Sequence, residues 1–264
     1  TDQRGVTRPQ GTACEVGAYE SDQQLGPTFV VNQLGDATGV CGQAFCSLRE
    51  AITSAKMAPT GQSYLITFNL TYPNTIVLNS QLPVITGDLI LNGPGASHLT
   101  INGNNSVRIL SVNAGASLSI DGLTLANGNA GNGGAISNLG SLIITNSAFI
   151  NNLSSASSGA IYNDGGTLVV DRSTFSGNQA SSAGGAIGNY GGSATVINST
   201  FFTNSAAGPW GGGAIYSRAS TLQISGGSDA LPPNDLVTLP QLPERPSAAT
   251  LGVIASTFSS NTAA

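Results

Sequence analysis

The chain of 264 residues carries only 8% charged side chains, against about a quarter in ordinary globular domains, with glycine at 35 positions and a single lysine, Lys56. A net charge of −5 argues against nucleic acid or an anionic membrane as partner, and no apolar run reaches the roughly 18 residues of a membrane span. Solubility therefore rests on Asn, Ser and Thr, as it does where the surface is made of repeated polar turns.

In chain order, residues 1–28 come first. Their CEVGAYE stretch alternates Val16 and Ala18 with Gly17 and Tyr19, as a strand does. The chain opens at Thr1 rather than Met, so a processed or excised segment is expected. Cys14 is an odd cysteine, either a buried free thiol or half of a bridge to something outside the chain. Cys41 and Cys46 have four residues between them, which suits a small disulfide loop better than a C-x-x-C metal or redox site; two free thiols are the alternative. Low charge and abundant small polar residues suggest export, which favours the bridge.

A helix comes directly after. Ser47 and Glu50 form a capping-box pattern, and Leu48, Ala51, Ile52 and Ala55 share one face over 47–55. Its natural place is across the N-terminal end of the structure beyond it, covering an apolar cross-section, with the whole cap spanning 41–58. Arg49 and Glu50 fit an internal ion pair better than a ligand site.

The rest of the chain is a repeat. GGAISN at 133–138, SGAIYN at 158–163, GGAIGN at 184–189 and GGAIYS at 212–217 place Ala135, Ala160, Ala186 and Ala214 at steps of 25, 26 and 28 residues. Self-similarity at that period marks a solenoid, with room for about three strands per turn. Between copies runs a second signature, Leu168, Val170, Ser173, Phe175, Asn178 and again Val196, Ser199, Phe201, Asn204, whose alternation reads as two strands and a bend. Ile136, Ile161, Ile187 and Ile215 point inward. Stacking the coils puts Phe149, Phe175, Phe201 and Phe258 in one column and Asn152, Asn178, Asn204 and Asn261 in another. The runs at 89–93 and 99–103 read as earlier, less regular coils, and Leu251, Val253, Ser256, Phe258 and Asn261 restart the signature 29 residues after Leu222. The count is about eight coils, the last incomplete. Between 228 and 247 five prolines, poor central ladder donors, should bulge out as a loop.

Candidate sites are few. Asp121 and Asp171 share a column with Thr145 between them, placing their backbones about 10 Å apart, a separation that inverting glycosidases use. The column continues with Ile197 and has no basic neighbour but Arg172, so a solvated turn is the simpler account. His98 reads as a turn residue. The thirteen acids are scattered and no G-G-x-G-x-D calcium repeat occurs, so no metal or cofactor is expected. An ice-binding threonine array would need more than Thr174, Thr200 and Thr257, interrupted at Ala148. Trp210, in a longer turn, and Tyr162, Tyr190 and Tyr216, on or beside the GAI strand, are the better binding candidates. Their rings suit surface glycans, although a turn tryptophan packs equally well on its own loop.

Three stretches carry a resemblance. GVCGQAFCSLREAI (39–52) resembles the N-terminal cap of bacterial surface and secreted proteins named after the CSLREA sequence. The GGAI and F-x-x-N pairs are similar to the repeats of polymorphic outer-membrane proteins and other right-handed β-helix passengers. The opening 20 residues resemble the closing segment of the choice-of-anchor Q family. The resemblance implies a right-handed parallel β-helix, export, and a surface or adhesive role without defined chemistry.

One departure stands out: the closing segment precedes the cap here, and the chain stops at 261–264 midway through a coil. Residues 1–20 then belong to a preceding unit of a tandem array, or residues 1–28 complete the open end of another copy, or they fold back on their own chain. Reach does not decide, because 28 extended residues span about 90 Å and eight coils about 38 Å. The expectation is therefore an all-β right-handed parallel β-helix over 29–264, capped by one helix and acting extracellularly or at the cell surface as a structural or adhesive element. The alternative is a polysaccharide-active enzyme of the pectin-lyase-like class.

Overall fold

The computed structural model describes residues 25–42, 44–59, 61–209, 211–218, 221–225, 250–254 and 256–263, with side chains described throughout except at 25–27, 221–225 and 250–254. It is a right-handed parallel β-helix of about six turns. Four sheets run along its length, called A, B, C and D below, with nine, seven, five and five strands.

One coil shows how the sequence makes the turn. Ser141–Thr145 lies in sheet A, Ala148–Ile150 in sheet B, Leu153–Ser154 in sheet D and Ile161–Asp164 in sheet C, before Thr167–Asp171 re-enters sheet A one rung on. The three-strand expectation is thus corrected to four, because the two-residue strands of sheet D are too short to show any alternation. Corners are set by left-handed residues. Asn146, Arg172 and Asn198 have φ of 48, 46 and 48° between sheets A and B, a conformation that asparagine tolerates better than most residues.

Inside, the columns are continuous. The rings of Phe149, Phe175, Phe201 and Phe258 stack at centroid spacings of 4.8, 4.7 and 4.8 Å, tilted by no more than 7°. Asn152, Asn178, Asn204 and Asn261 are buried at the next corner, and the side-chain amides of the first three each donate to the following Oδ1 at 2.8–2.9 Å. Asn138, Asn163 and Asn189 form a second ladder after the GAI strands, at 2.6 and 2.7 Å. Ile136, Ile161, Ile187 and Ile215 face inward. The glycine before each alanine is required by close approach: a Cβ on Gly185 would run into the carbonyl of Gly213.

At the N-terminal end, Leu25–Val31 is the first strand of sheet A. The helix α1, Leu48–Met57, occupies the rest of that rung and runs two residues beyond the predicted stretch. Ser47 and Glu50 close the capping box at 2.8 and 3.2 Å, and Cys41 and Cys46 form a disulfide. Arg49 is 7% exposed and pairs with Asp36, not with Glu50: its Nε and Nη2 donate to the two carboxylate oxygens at 2.7 and 2.8 Å, and Nη1 and Nη2 also reach the Gln81 and Ser80 carbonyls. The two carbonyl contacts pin the helix to the second coil.

The far end departs from sequence order. Thr250–Ile254 pairs directly with Ser193–Ile197, and Thr221–Ser225 pairs with its outer side. Among the described residues the earlier segment contributes one strand of sheet A, and the turns number about six against the eight expected. Residues 1–24, with Cys14, and the proline-rich 228–247 lie outside the described residues, as do the side chains of Leu222, Leu251 and Val253.

Candidate functional site

The two aspartates singled out by spacing do share a column, in the order Asp121, Thr145, Asp171, Ile197. Both carboxylates are engaged in the turns. Asp121 Oδ1 accepts from Thr145 Oγ1 at 2.6 Å and Asn146 Nδ2 at 2.7 Å. Asp171 Oδ1 accepts from Asn198 Nδ2 at 3.2 Å, and its Oδ2 lies 2.6 Å from Arg172 Nη1. Arg172 Nε in turn donates to Asn146 Oδ1 at 3.1 Å. The network ties consecutive corners between sheets A and B. An exposed pair of this kind is worth about 0–1 kcal/mol, and the only cation among these partners is a guanidinium, which does not give up its proton.

The tyrosines form a different arrangement, on the outer face of sheet C. Tyr162, Gly188 and Tyr216 are in register, and Tyr190 stands two residues beyond the glycine. Gly188 leaves room there: a Cβ at that position would lie 2.6 Å from the Tyr190 ring. Tyr190 therefore folds back over the glycine and completes a stack, with centroids 4.8 Å from Tyr162 and 5.3 Å from Tyr216. Burial pushes the Tyr190 phenol up to about 12, a hydrogen bond with Ser157 pulling the other way. Burial also raises Tyr162, helped by Asp164, and raises Tyr216 against the opposing field of Arg218.

This geometry limits what the tyrosines offer. Both faces of the middle ring are taken by its neighbours, and Tyr216 is only 4% exposed. A sugar would meet ring edges and hydroxyls before it met a flat platform. Trp210 lies outside the described residues.

His98 is exposed, with its Nδ1 3.2 Å from Ser97 Oγ and its ring edge-on to Tyr72 at 6.1 Å. Among the described residues no acid joins it there. Among the described residues no group of three or more His, Cys, Asp or Glu could hold a metal, and no helix is long and apolar enough to cross a membrane.

The spacing of sequence motifs gives no hint of one further feature, a cavity of about 260 Å3 under the last turn of α1. Ile52, Ala55, Tyr64 and Ile85 supply apolar walls, and Lys56 and Asp88 stand at its rim. Compared with known proteins, the chain matches no family model and no curated protein.

Proposed function

We propose that the chain is a structural or adhesive element of an extracellular or cell-surface assembly, built as a rod and joined head to tail through residues 1–28 and the C-terminal coil. The observation that carries this reading is where the side-chain chemistry goes. Phenylalanine, asparagine and serine columns run along the axis, and the acids with matching spacing, Asp121 and Asp171, are bound into corner networks. A solenoid grows by adding rungs, so its ends present strand edges that invite another chain. The disulfide supports an oxidising compartment, and exposed glycans are a further partner within reach of the outer tyrosines.

Sedimentation velocity of the full chain against a chain lacking residues 1–20 tests the assembly. Concentration-dependent polymers from the first and monomers from the second are expected. Identical behaviour, or a monomeric full chain, removes the assembly reading. A polysaccharide screen tests the enzymatic alternative. Asp121→Asn and Asp171→Asn keep an Oδ1 acceptor for Thr145, Asn146 and Asn198, so stability should change by less than about 1 kcal/mol. Turnover abolished by either substitution would establish the pectin-lyase-like alternative.

A further inference from the structure

The tyrosines on the outer face of sheet C differ from the other described tyrosines in touching one another. Tyr64 has Phe29 as its ring neighbour and Tyr72 has His98. Tyr190 instead stands between Tyr162 and Tyr216, at centroid distances of 4.8 and 5.3 Å. The backbone register does not impose this. Tyr190 is in register with Asp164 and Arg218, so both tyrosine partners lie diagonally across the ladder, an offset that aromatic side chains are long enough to bridge.

Ring orientation separates this group from the phenylalanine column. Those rings lie within 7° of parallel, whereas Tyr162 and Tyr190 are tilted by 33° and Tyr190 and Tyr216 by 40°. In a tilted pair one set of ring edges approaches more closely than the centroids do, and ring edges carry the carbons ortho to the hydroxyls. The centres of two directly bonded phenol rings stand nearly as far apart as those of Tyr162 and Tyr190. A bond between ortho carbons therefore needs rotation of side chains and no shift of the backbone. Tyr162 has that freedom because it is half-buried at the surface, while Tyr216 is 4% exposed and makes the longer contact. A proton acceptor stands beside the pair. Asp164 is exposed, two residues along the strand from Tyr162 and in register with Tyr190. Burial, and then the nearby Asp164 charge, raise the Tyr162 phenol. A phenol that loses an electron becomes a strong acid, and a carboxylate at this position takes up its proton.

We propose that Tyr162 and Tyr190 form a site of oxidative cross-linking, at which a one-electron oxidant fed by hydrogen peroxide joins neighbouring coils through a bond between ortho carbons. Each ring gives one electron to the oxidant and its hydroxyl proton to Asp164 or water, leaving two phenoxyl radicals. Their ortho carbons share the two unpaired electrons as the new bond. The hydrogen on each joined carbon then leaves as a proton while each oxygen regains one, which restores both phenols. In sum, two tyrosines and one hydrogen peroxide become one dityrosine and two water molecules. The product closes a loop from 162 to 190 and ties Ile161–Asp164 to Ile187–Tyr190. Like other covalent bridges, it limits the freedom of the unfolded chain. The site is independent of whether copies of the chain assemble.

Peroxidase and hydrogen peroxide, applied to an equal mixture of unlabelled and heavy-nitrogen-labelled full chain, test the site. Trypsin cuts after Arg108, Arg172 and Arg218, so Tyr162 is the one tyrosine of peptide 109–172, while Tyr190 and Tyr216 share peptide 173–218. The expected product is 109–172 joined to 173–218 with two hydrogens lost, both halves carrying the same isotope, and with fragmentation placing the bond at Tyr162 and Tyr190. Dityrosine fluorescence should accompany it, and the treated chain should melt at a higher temperature than the untreated one. Tyr162→Phe keeps the ring and should fold like the parent by circular dichroism, yet lose the joined peptide. Four results overturn the proposal. Products that only mix isotopes place the coupling between copies. Loss of two hydrogens within 173–218 moves the bond to Tyr190 and Tyr216. A joined chain that melts like the untreated one has gained no staple. Absence of dityrosine removes the site altogether.

Discussion

Asn178→Ala is the sharpest probe of what holds the coils in register. The side chain is fully buried at the corner between sheets B and D, and it makes four hydrogen bonds. Its Oδ1 accepts from the backbone N–H of Asn152 at 3.0 Å and from Asn152 Nδ2 at 2.9 Å; its Nδ2 donates to the Phe149 carbonyl and to Asn204 Oδ1, both at 2.9 Å. Alanine leaves the Asn152 amide with no acceptor, an orphaned buried donor costing about 1–3 kcal/mol. The other three bonds, at a net worth of about 0.5–1.5 kcal/mol each, bring the expected loss to about 3–7 kcal/mol. Because coils contact only their neighbours, the damage should be local. Hydrogen exchange should show the Asn152 amide unprotected while amides of the 117–121 strand keep their protection. Leu153→Ala, on an exposed side chain beside it, should stay within about 0.5 kcal/mol of the parent. A retained Asn152 protection factor together with an unchanged urea midpoint would refute the idea that the ladder is energetically important.

Three other outcomes are expected. Phe175→Ala empties the middle of the ring stack and should cost about 3–5 kcal/mol, read as a lower melting temperature and faster proteolysis; an unchanged melt rejects its role in the core. Reducing Cys41–Cys46 releases a short loop and should cost about 2 kcal/mol by loop-closure entropy, while mass spectrometry finding both thiols alkylated without reductant would rule the bridge out. Tyr190 should ionise near pH 12 in the spectrophotometric phenolate titration, above the tyrosines of the unfolded chain. Its pKa is raised in the folded state, so its contribution to stability is complete below pH 10 and declines between about 10 and 12; a normal titration contradicts the packed stack.

Much of this architecture is legible in the amino-acid order because each coil repeats residue types whose faces are dictated by period-two alternation. Phe149, Phe175 and Phe201 recur with Ser and Asn at fixed offsets, so one assignment settles all three columns. Sheet D is not legible, since Gln179–Ala180 offers two residues and no pattern. The Arg49–Asp36 pair joins a helix to a loop 13 residues upstream, a distance no local periodicity spans. Spacing puts Tyr190 beside the GAI strand, but its packing depends on an absence: the glycine at 188, in a column where Tyr162 and Tyr216 stand on either side, opens the slot that its ring fills.

The reversed order of the last two strands of sheet A is a consequence of the same ladders. Thr221–Ser225 and Thr250–Ile254 both read as sheet A strands, so strand pattern alone does not assign either to the inner rung. The residues immediately C-terminal to each strand make the assignment. After Ser225 the chain runs GGSDALPPND, with no Ser, Phe and Asn at ladder offsets. After Ile254 it supplies Ser256, Phe258 and Asn261. Ser256 Oγ accepts from the Ser199 N–H at 3.1 Å, Phe258 stacks on Phe201 at 4.8 Å, and Asn261 Oδ1 accepts from the Asn204 N–H and Nδ2 at 3.0 and 2.8 Å. With the 221–225 strand on the inner rung, the amides of Ser199 and Asn204 would lose these buried acceptors and Phe201 one of its ring neighbours, at about 1–3 kcal/mol for each orphaned donor. Moving 221–225 outward keeps its parallel pairing along Thr250–Ile254 and leaves the ladders unbroken. Side-chain ladders at the corners, more than strand pattern, therefore decide the order in which this solenoid stacks its chain.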